Sequence, residues 1–456
     1  MSRKFRRIVR GVGNGDPIYY VDATNGNDNY SGLTQALAWK TITKVNAATL
    51  IHGSTVLFKR GETFAGTMTP TISGVSGKPI TYSDYGSGAA PIILGGAAAY
   101  TVNIPQAANS AEYLVFRNLH FSGSTGAVCR MYSRYILMED CIVEGCTAGY
   151  GIASSATQAD MVHDNIFRRL SIYDNAKSGI QIGVTDPGYP YNMIVEDCDI
   201  HDNGTSTSAD HGIYVDAGVI VRRNGVYNNA AGGIKCNSEF GIDMRYLPQI
   251  YDNTIYGNYM GIVMAHHYMN VWNNLIYANT NYNIYWEVYV SNCTVVFNTL
   301  VNVTSASSAR GVSWNVYPNE DNIFKNNIVI QDSAVVAREC MSVNSTGRLT
   351  DVTTNNTFDY NVYYFSASAT AHLFIDGSGG TNLDFTEWKA LAASPDPHGT
   401  QLLNTPDFVT RYTDLHPADG GDLKGKGVAI AGYELDKDGN TRANPPTPGC
   451  YELAAA

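Results

Sequence analysis

Four side chains capable of acid–base chemistry lie close together in the segment SADHGIYVDAG, residues 208–218. They are Asp210, His211, Tyr214 and Asp216. Histidine and tyrosine can exchange protons with a substrate, and a neighbouring aspartate can orient an imidazole. The sequence therefore predicts an acid–base pair of His211 and Tyr214, with Asp210 orienting the histidine. The alternative is that these are ordinary hydrogen-bonded surface residues on a repeating scaffold.

A second polar group follows in the next part of the chain and contains Lys235, Asn237 and Arg245. A neutral lysine can abstract the proton next to a uronate carboxylate, provided that a cation or amide donors neutralise that carboxylate. Lys235 is the candidate base, and Arg245 could reach back over the substrate. Asp216 and Asn237 carry the hard oxygen ligands that Ca²⁺ prefers, so Ca²⁺ is the one cofactor that the sequence suggests. An exposed lysine in a salt bridge is the competing interpretation of Lys235.

Further polar residues are candidate substrate contacts because they occupy or follow the same positions in neighbouring segments. Together with Asp210 and Asn237, this set contains Gln181, His266, His267, Tyr285 and Glu287. Successive residues on a strand point to opposite sides, so His266 and His267 are not expected to share a metal ion. By the same alternation, Trp286 is expected to pack in the core.

The segments that carry these residues are units of a repeat. Nine segments align in steps of 21 to 29 residues, among them FRNLHF (116–121), MEDCIV (138–143), VWNNLI (271–276) and FKNNIV (324–329). Their fourth position is leucine or cysteine in the first four segments and asparagine from Asn224 to Asn327. A second motif of the form GIxΦx, in which Φ is apolar, follows each segment. This period predicts a parallel β-solenoid, with Ile and Φ facing the core and the asparagines stacked in a hydrogen-bonded ladder.

Composition and charge exclude several classes of protein. Acidic side chains exceed basic ones, 41 against 30, which disfavours general binding to nucleic acids or anionic membranes. No apolar run reaches the roughly 20 residues that a membrane helix needs. The eight cysteines are dispersed without a CxxC pair and are expected to be buried free thiols. The basic N-terminus lacks the apolar stretch of a secretory signal, so the expected location is extracellular or virion-associated.

The repeat divides the chain into four regions. A basic extension (1–16) is followed by an N-terminal cap with the first coils (17–110), the regular coils (111–365), and a C-terminal coil, helix and loop segment (366–456). A solenoid needs capped ends because its edge strands would otherwise pair with other chains. The C-terminal segment is expected to pack on the solenoid and not to form a separate domain.

Three stretches carry a resemblance to known proteins: YYVDATNGNDNYSGLTQALAWKTI near the start, the Gly-Ile motifs, and DFTEWKAL…DPHG…DKDGNTR…GCYE near the end. With them, nearly the whole chain resembles the right-handed parallel β-helix proteins of the pectate-lyase-like superfamily. The resemblance implies an all-β fold, a single-stranded right-handed parallel β-helix of about ten coils, with a substrate groove on the sheet that carries the Gly-Ile motifs. Members include polysaccharide lyases, polygalacturonase-type hydrolases, uronan epimerases and phage tailspikes, so the fold does not determine the reaction.

The candidate residues do not reproduce the motif set of any one of these enzymes. ADHG (209–212) matches a polygalacturonase pattern only in part, and the aspartate-rich calcium cluster of pectate lyases is incomplete. The sequence favours an enzyme that degrades an extracellular uronic-acid polysaccharide by β-elimination. The first alternative is a glycoside hydrolase, whose two carboxylates would be Asp216 with Asp210 or Glu287. The second is a glycan-binding surface protein or tailspike, expected to be a homotrimer, whereas a secreted enzyme is expected to be a monomer.

Overall fold

The structure is a computed structural model of the 456-residue chain. It describes residues 15–107, 110–155, 162–183, 190–216, 218–237, 247–287, 290–303, 309–315, 320–332, 339–343, 355–366, 374–376, 381–391, 395–404, 406–410, 414–418 and 421–453. The chain divides into two compact units. Unit 1 contains residues 1–220, 229–231 and 239–246, and unit 2 contains residues 221–228, 232–238 and 247–456.

Unit 1 consists of three parallel sheets, A, B and C, that receive strands in turn as the chain advances. Sheet A contains β1 (Ile18–Val21), β2 (Thr55–Lys59), β4 (Ile80–Tyr85), β7 (Leu114–Arg117), β10 (Ile136–Glu139), β13 (Ile166–Arg168), β16 (Met193–Glu196) and the start of β19 (Val219–Arg222). Sheet B contains β3 (Thr63–Ala65), β5 (Ile92–Leu94), β8 (His120–Ser124), β11 (Ile142–Cys146), β14 (Ser171–Tyr173) and β17 (Asp199–His201). Sheet C contains β6 (Tyr100–Ile104), β9 (Ala127–Met131), β12 (Tyr150–Ala153), β15 (Ile180–Ile182) and β18 (Ile213–Val215).

Unit 2 has the same three-sheet organisation. Its sheet A contains β22 (Gln249–Tyr251), β25 (Asn270–Trp272), β28 (Thr294–Val296), β31 (Ile323–Lys325) and β34 (Thr357–Asp359). Its sheet B contains β20 (Gly225–Tyr227), β23 (Thr254–Tyr256), β26 (Leu275–Tyr277), β29 (Thr299–Asn302), β32 (Ile328–Gln331), β35 (Val362–Phe365) and β38 (Thr400–Leu402). Its sheet C contains β21 (Gly232–Asn237), β24 (Met260–Ala265), β27 (Tyr282–Trp286), β30 (Arg310–Trp314), β33 (Met341–Val343), β36 (Phe374–Asp376) and the antiparallel β37 (Thr381–Leu383). A hairpin of β39 (Phe408–Thr410) and β40 (Asp414–Pro417) follows.

Helices are few and short. A 3₁₀ turn (Gln35–Leu37) and helix α1 (Ile42–Asn46) lie near the start, and helix α2 (Phe385–Lys389) lies after the coils of unit 2. Helix α2 begins with a capping box, in which the side chains of Asp384 and Glu387 each accept the backbone N–H of the other residue. None of the helices in the described ranges has the length and apolar character to cross a membrane.

The alternation predicted for the Gly-Ile motifs is confirmed. In unit 1, Ile180, Ile182, Ile213 and Val215 are fully buried, and the residue between each pair points the other way. In unit 2 the equivalent inward positions hold larger side chains, and Trp286 stacks on Trp314 with ring centroids 4.0 Å apart. All eight cysteines are free and buried, as expected from their spacing.

The asparagine ladder is confirmed in unit 2, and it continues beyond the predicted members. The side-chain amide of each member donates to the side-chain oxygen of the next, at distances of 3.0 to 3.1 Å; the members are Asn224, Asn253, Asn274, Asn298, Asn327 and Asn361. Asn361 in turn donates to the carboxylate of Asp396, at 3.0 Å. The ladder therefore ends on an acceptor that has no N–H of its own to satisfy.

Residues of the C-terminal segment pack against the coils of unit 2. Its apolar side chains cover outward-facing residues of sheet B in one buried cluster, which contains Val301, Ile330, Tyr364, Phe408, Leu415, Leu423 and Cys450. Arg442 fixes the segment further, because its buried guanidinium donates to the side-chain oxygen of Asn273 and lies 3.9 Å over the ring of Phe297.

Asp396 makes stability depend on pH. Burial raises the pKa of its carboxyl to about 6, although hydrogen bonds from Asn361 and Tyr363 partly offset that shift. The folded state therefore holds this proton more tightly than the unfolded chain, and about 3 kcal/mol of stability is lost as the pH rises from about 4 to about 6. We expect Asp396→Asn to remove that dependence.

The check is urea denaturation of both proteins at several pH values across this range. The stability of the variant relative to the wild type should rise by about 3 kcal/mol from the acidic end of the range to pH 7. The matched control is Asp199→Asn, at an exposed aspartate on β17. An unchanged difference between wild type and Asp396→Asn over the whole range would contradict the assignment.

Candidate functional site

The outer face of sheet C carries an aligned row of side chains in unit 1. The Cα atoms of Asn103, Arg130, Ala153, Gln181 and Tyr214 pair across successive strands. Because parallel strands lie about 4.8 Å apart, the row places a different side chain at each step along a groove-sized surface. The sequence predicted Gln181 and Tyr214 on this face, and the structure places both there.

Three polar side chains converge beside the row at Gly183. A Cβ atom built at that glycine would lie 3.2 Å from Ser155 Oγ, 3.3 Å from Gln181 Nε2 and 3.6 Å from Asp216 Oδ2. The glycine therefore leaves room between a hydroxyl, an amide and a carboxylate, which are groups that bind sugar hydroxyls. Asp216 is 9% exposed, so its carboxylate is largely shielded from water.

Arg130 is the functional candidate that the sequence analysis missed. Its guanidinium lies 4.5 Å from the ring of Tyr132 and 5.2 Å from that of Tyr100. Within the described residues it makes no hydrogen bond or ion pair, and its Nε is buried without a partner. Seven other arginines are ion-paired to carboxylates: Arg60, Arg117, Arg134, Arg168, Arg169, Arg310 and Arg442. A half-buried guanidinium without a carboxylate partner is suited to bind an anion from solution.

We expect Arg130→Gln to weaken binding of acidic oligosaccharides by about tenfold or more, because a charge-assisted hydrogen bond is lost. Binding of neutral oligosaccharides and the unfolding midpoint should change little, since Arg130 forms no ion pair with any of the described residues. Calorimetric titration of both ligand types checks this, with Arg60→Gln as the control at an arginine that pairs with Asp84. Equal loss for acidic and neutral ligands would argue against an anion site.

His211 and Asp210 do not form the arrangement that the sequence suggested. His211 was expected to face outward, but only 2% of its surface is accessible. The residue lies before β18 begins, so strand alternation does not govern its direction. The Asp210 carboxylate accepts the backbone N–H groups of Thr205 and Ser206, at 3.0 and 2.8 Å, and so stabilises a turn. The ring of His211 does lie near Tyr214, with centroids 5.8 Å apart.

In unit 2 the corresponding row on sheet C contains Lys235, Val263, Tyr285 and Ser313. The Nζ atom of Lys235 donates to Glu287 Oε1 at 3.0 Å. The strand between them carries the short side chain of Val263 at the intervening position of the row. Within the described residues the Glu287 carboxylate is the hydrogen-bonding partner of the amine. The predicted residues Lys235, Tyr285 and Glu287 are thus brought together on one face.

Tyr285 adds a phenol to this face. Burial raises the pKa of Tyr285, and the negative charge of Glu287 adds to that shift. The phenol is therefore protonated at neutral pH and available as a proton donor. Its ring stacks on Tyr282, with centroids 5.2 Å apart, and Tyr282 accepts a hydrogen bond from Arg310 at 3.2 Å. These contacts hold the ring in a fixed position.

The two histidines after β24, His266 and His267, have different contacts. His266 is 4% exposed, and its Nδ1 contacts the carbonyl oxygen of His267. Nδ1 of His267 lies 2.8 Å from Ser291 Oγ. Burial lowers the pKa of both rings, so both favour the neutral form. Their predicted role in binding sugar hydroxyls stays a prediction.

Two further predictions concern Arg245, expected to reach over the substrate, and a Ca²⁺ ion held by Asp216 and Asn237. Arg245 lies outside the described residues. Asp216 and Asn237, suggested for Ca²⁺, belong to different units, and no group of three or more His, Cys, Asp or Glu side chains suited to a metal ion occurs within the described ranges. The amide Nδ2 of Asn237 is buried without a hydrogen-bond partner there. We therefore assign no step of a reaction to Ca²⁺.

Comparison with known proteins shows the same architecture. A family model for the right-handed β-helix region matches residues 96–242. The fold is a right-handed parallel β-helix. The β-helix predicted from the repeat is thereby confirmed, together with the resemblance to pectate-lyase-like proteins. No curated protein matched the sequence.

Three solved structures share this β-helix at low sequence identity. Pectate lyase Pel9A is 16% identical with a TM-score of 0.53, and the alignment covers 99% of this chain and 100% of that one. XylC, solved with xylose, is 12% identical with a TM-score of 0.55, covering 76% of this chain and 83% of that one. A glycoside hydrolase is 10% identical with a TM-score of 0.50, covering 70% and 96%. At these identities the likeness concerns the fold, and the chemistry has to be argued from the site.

Proposed function

We propose that this β-helix protein is a carbohydrate-active enzyme that cleaves an extracellular, uronic-acid-containing polysaccharide by β-elimination. The observation that supports the reaction is the Lys235–Glu287 pair beside Tyr285 on the outer face of sheet C. An amine and a protonated phenol on one open face are the base and the acid that this reaction needs. Two solved β-helix structures, named as a pectate lyase and a glycoside hydrolase, lend support to a carbohydrate substrate.

The proposed step uses the chain's own groups. Substrate binding opens the Lys235–Glu287 pair, the Lys235 ammonium gives up a proton to solvent water, and the amine so formed takes the proton from C5 of the uronate ring. The electron pair of that C–H bond forms the C4–C5 double bond, and the bond from C4 to the leaving oxygen breaks. The phenol of Tyr285 donates a proton to that oxygen. The carboxylate on C5 needs a cationic or amide neighbour to tolerate the developing charge.

Hydrolysis is the alternative reaction, and it needs two carboxylates across the scissile bond. Asp210, one of the predicted pair members, is engaged by two backbone N–H groups of its own turn. Asp216 and Glu287 remain as carboxylates on the outer face of sheet C in their respective units. Elimination is favoured because the Lys235–Glu287 pair and Tyr285 supply a base and an acid on one face of sheet C.

The test is to incubate the protein with a panel of pectate, alginate, glycosaminoglycans and neutral glucans. Two signals are monitored for each polymer: the ultraviolet absorbance of unsaturated uronates and the release of reducing ends. A rise in both signals on an acidic polymer supports elimination. Reducing ends without absorbance would instead establish a hydrolase. Binding without either signal would establish a glycan-binding protein.

A further inference from the structure

A cavity of about 370 Å³ lies on the outer face of sheet A in unit 2, away from the row on sheet C. Its floor consists of Tyr251 and Trp272, which project from neighbouring strands with ring centroids 4.1 Å apart. Its roof is the loop of residues 432–439 from the C-terminal segment. Tyr433 of that loop meets the ring of Trp272 edge to face, at 5.5 Å.

The roof is held in place independently of any ligand. Asp436 is 2% exposed, and its carboxylate accepts the backbone N–H groups of Asp438, Asn440 and Glu452 at 2.7 to 3.0 Å. Two contacts then join the loop to sheet A. Asn273 donates to the carbonyl oxygen of Leu435 at 2.9 Å, and Lys437 Nζ donates to the carbonyl oxygen of Asp252. The cavity is therefore preformed, because collapse of the roof would break this network.

The lining combines apolar walls with hydrogen-bonding groups, as small-ligand sites do. Tyr251, Trp272, Tyr433 and Leu435 supply aromatic and aliphatic surface, and 53% of the Leu435 surface is exposed. Asp252 contributes a carboxyl whose pKa is raised by burial to about 6. Carboxyl groups bind pairs of hydroxyls, while the edges of the stacked aromatic rings and the leucine side chain contact the C–H groups of a sugar ring.

Charge decides between acidic and neutral ligands. Four acidic residues line the cavity, at positions 252, 434, 436 and 438, against two basic residues, at 223 and 437. Lys437 is directed at a backbone carbonyl oxygen. The net negative charge of the lining would repel a uronate, sulfate or phosphate group. It would not repel a neutral ring that carries hydroxyl groups.

We propose that this cavity is a binding site for a neutral sugar ring, such as a neutral residue or branch of a polysaccharide. Its volume, at the small end of the range for ligand pockets, suits one monosaccharide unit. The site is separate from the sheet C residues that carry the proposed elimination, and it does not depend on that reaction.

Trp272 provides the reporter for the test. The chain has five tryptophans, and Trp39, Trp286, Trp314 and Trp388 are at most 4% exposed, whereas Trp272 is half-buried and lines the cavity. Acrylamide quenching of tryptophan fluorescence in the intact protein therefore reports mainly on Trp272. The probes are glucose, galactose, xylose and N-acetylglucosamine with their short oligomers, and galacturonate and mannuronate as acidic counterparts.

At least one neutral sugar should protect Trp272 from quenching, and Trp272→Phe should abolish the protection. Asp252→Asn, which keeps the side-chain shape, should weaken the apparent affinity about tenfold, and Leu435→Ala about fivefold, from the lost hydrogen bond and apolar contact. Leu403→Ala is the matched control, at a leucine that is 87% exposed and outside the cavity.

Three results would overturn the proposal. One is the absence of protection by every neutral sugar at up to about 50 mM, well above the millimolar Kd of weak sites. Another is protection that Asp252→Asn and Leu435→Ala leave unchanged. The third is equal protection by acidic sugars. None of these results depends on whether the protein cleaves a polysaccharide.

Discussion

Replacing Lys235 by alanine is expected to lower the rate of unsaturated uronate formation by about 10³-fold, within the range for loss of a general base. The physical reason is that alanine removes the amine that accepts the C5 proton. The carboxylate of Glu287 lies next to the position of the Lys235 amine, but a carboxylate is a much weaker base than a neutral amine. The rate is measured by the absorbance of the unsaturated product on the acidic polymer that the panel identifies.

A merely structural role of Lys235 predicts a different pattern. A partly exposed ion pair contributes about 0–1 kcal/mol, so both Lys235→Ala and Glu287→Gln should leave the unfolding midpoint nearly unchanged. Glu287→Gln retains the amine and should keep most of the activity. Lys177→Ala serves as the matched control at an exposed lysine. A Lys235→Ala enzyme that keeps more than a tenth of the activity would sink the assignment.

The repeat made the scaffold predictable because each coil obeys the same two physical constraints. Inward positions must be apolar, so Ile180, Ile213 and their equivalents follow from strand alternation alone. A buried turn must satisfy its backbone groups, so an asparagine that recurs at one position indicates a ladder. The end of the ladder could not be predicted in the same way. Asp396 replaces asparagine in a segment where the repeat has faded, 35 residues after Asn361.

The candidate site was predictable only in part, because its residues depend on contacts between distant segments. The repeat predicts that Lys235 and Glu287 lie on the same face of the sheet. The structure adds that the two side chains form a hydrogen bond, although they are 52 residues apart in the sequence. Arg130 escaped detection because its strand, AVCRM, lacks the Gly-Ile motif. What sets it apart is that none of the described residues offers it a carboxylate partner, which the sequence cannot show. His211 precedes its strand, and its ring lies 5.8 Å from that of Tyr214 but is shielded from water, which alternation does not predict.

The largest effect on stability is expected inside the asparagine ladder, at Asn298. This side chain is fully buried and forms five hydrogen bonds. Its amide donates to the carbonyl oxygens of Val271 and Val296 and to the side chain of Asn327, and its oxygen accepts both N–H groups from Asn274. Asn298→Ala removes the acceptor of the Asn274 backbone N–H and a donor to the carbonyl oxygens of Val271 and Val296 inside a buried turn, so we expect a loss of about 3–5 kcal/mol in the free energy of unfolding.

Asn298→Asp separates the role of the ladder from that of side-chain volume. Aspartate keeps the size and still accepts from Asn274, but an ionised carboxylate donates nothing to Val271, Val296 or Asn327. The last side chain of the ladder only has to accept hydrogen bonds, which explains why an aspartate, Asp396, occurs at that position. The side chains inside the ladder must both accept and donate, and these are asparagines. Asn298→Asp should therefore destabilise the protein at pH 7 at least as much as alanine does, and less at pH 4, where a protonated carboxyl can donate once. Urea denaturation at both pH values is the measurement, with Asn29→Ala as the exposed control. Equal stability of wild type and both variants would show that packing, and not the hydrogen-bonded ladder, holds these turns together.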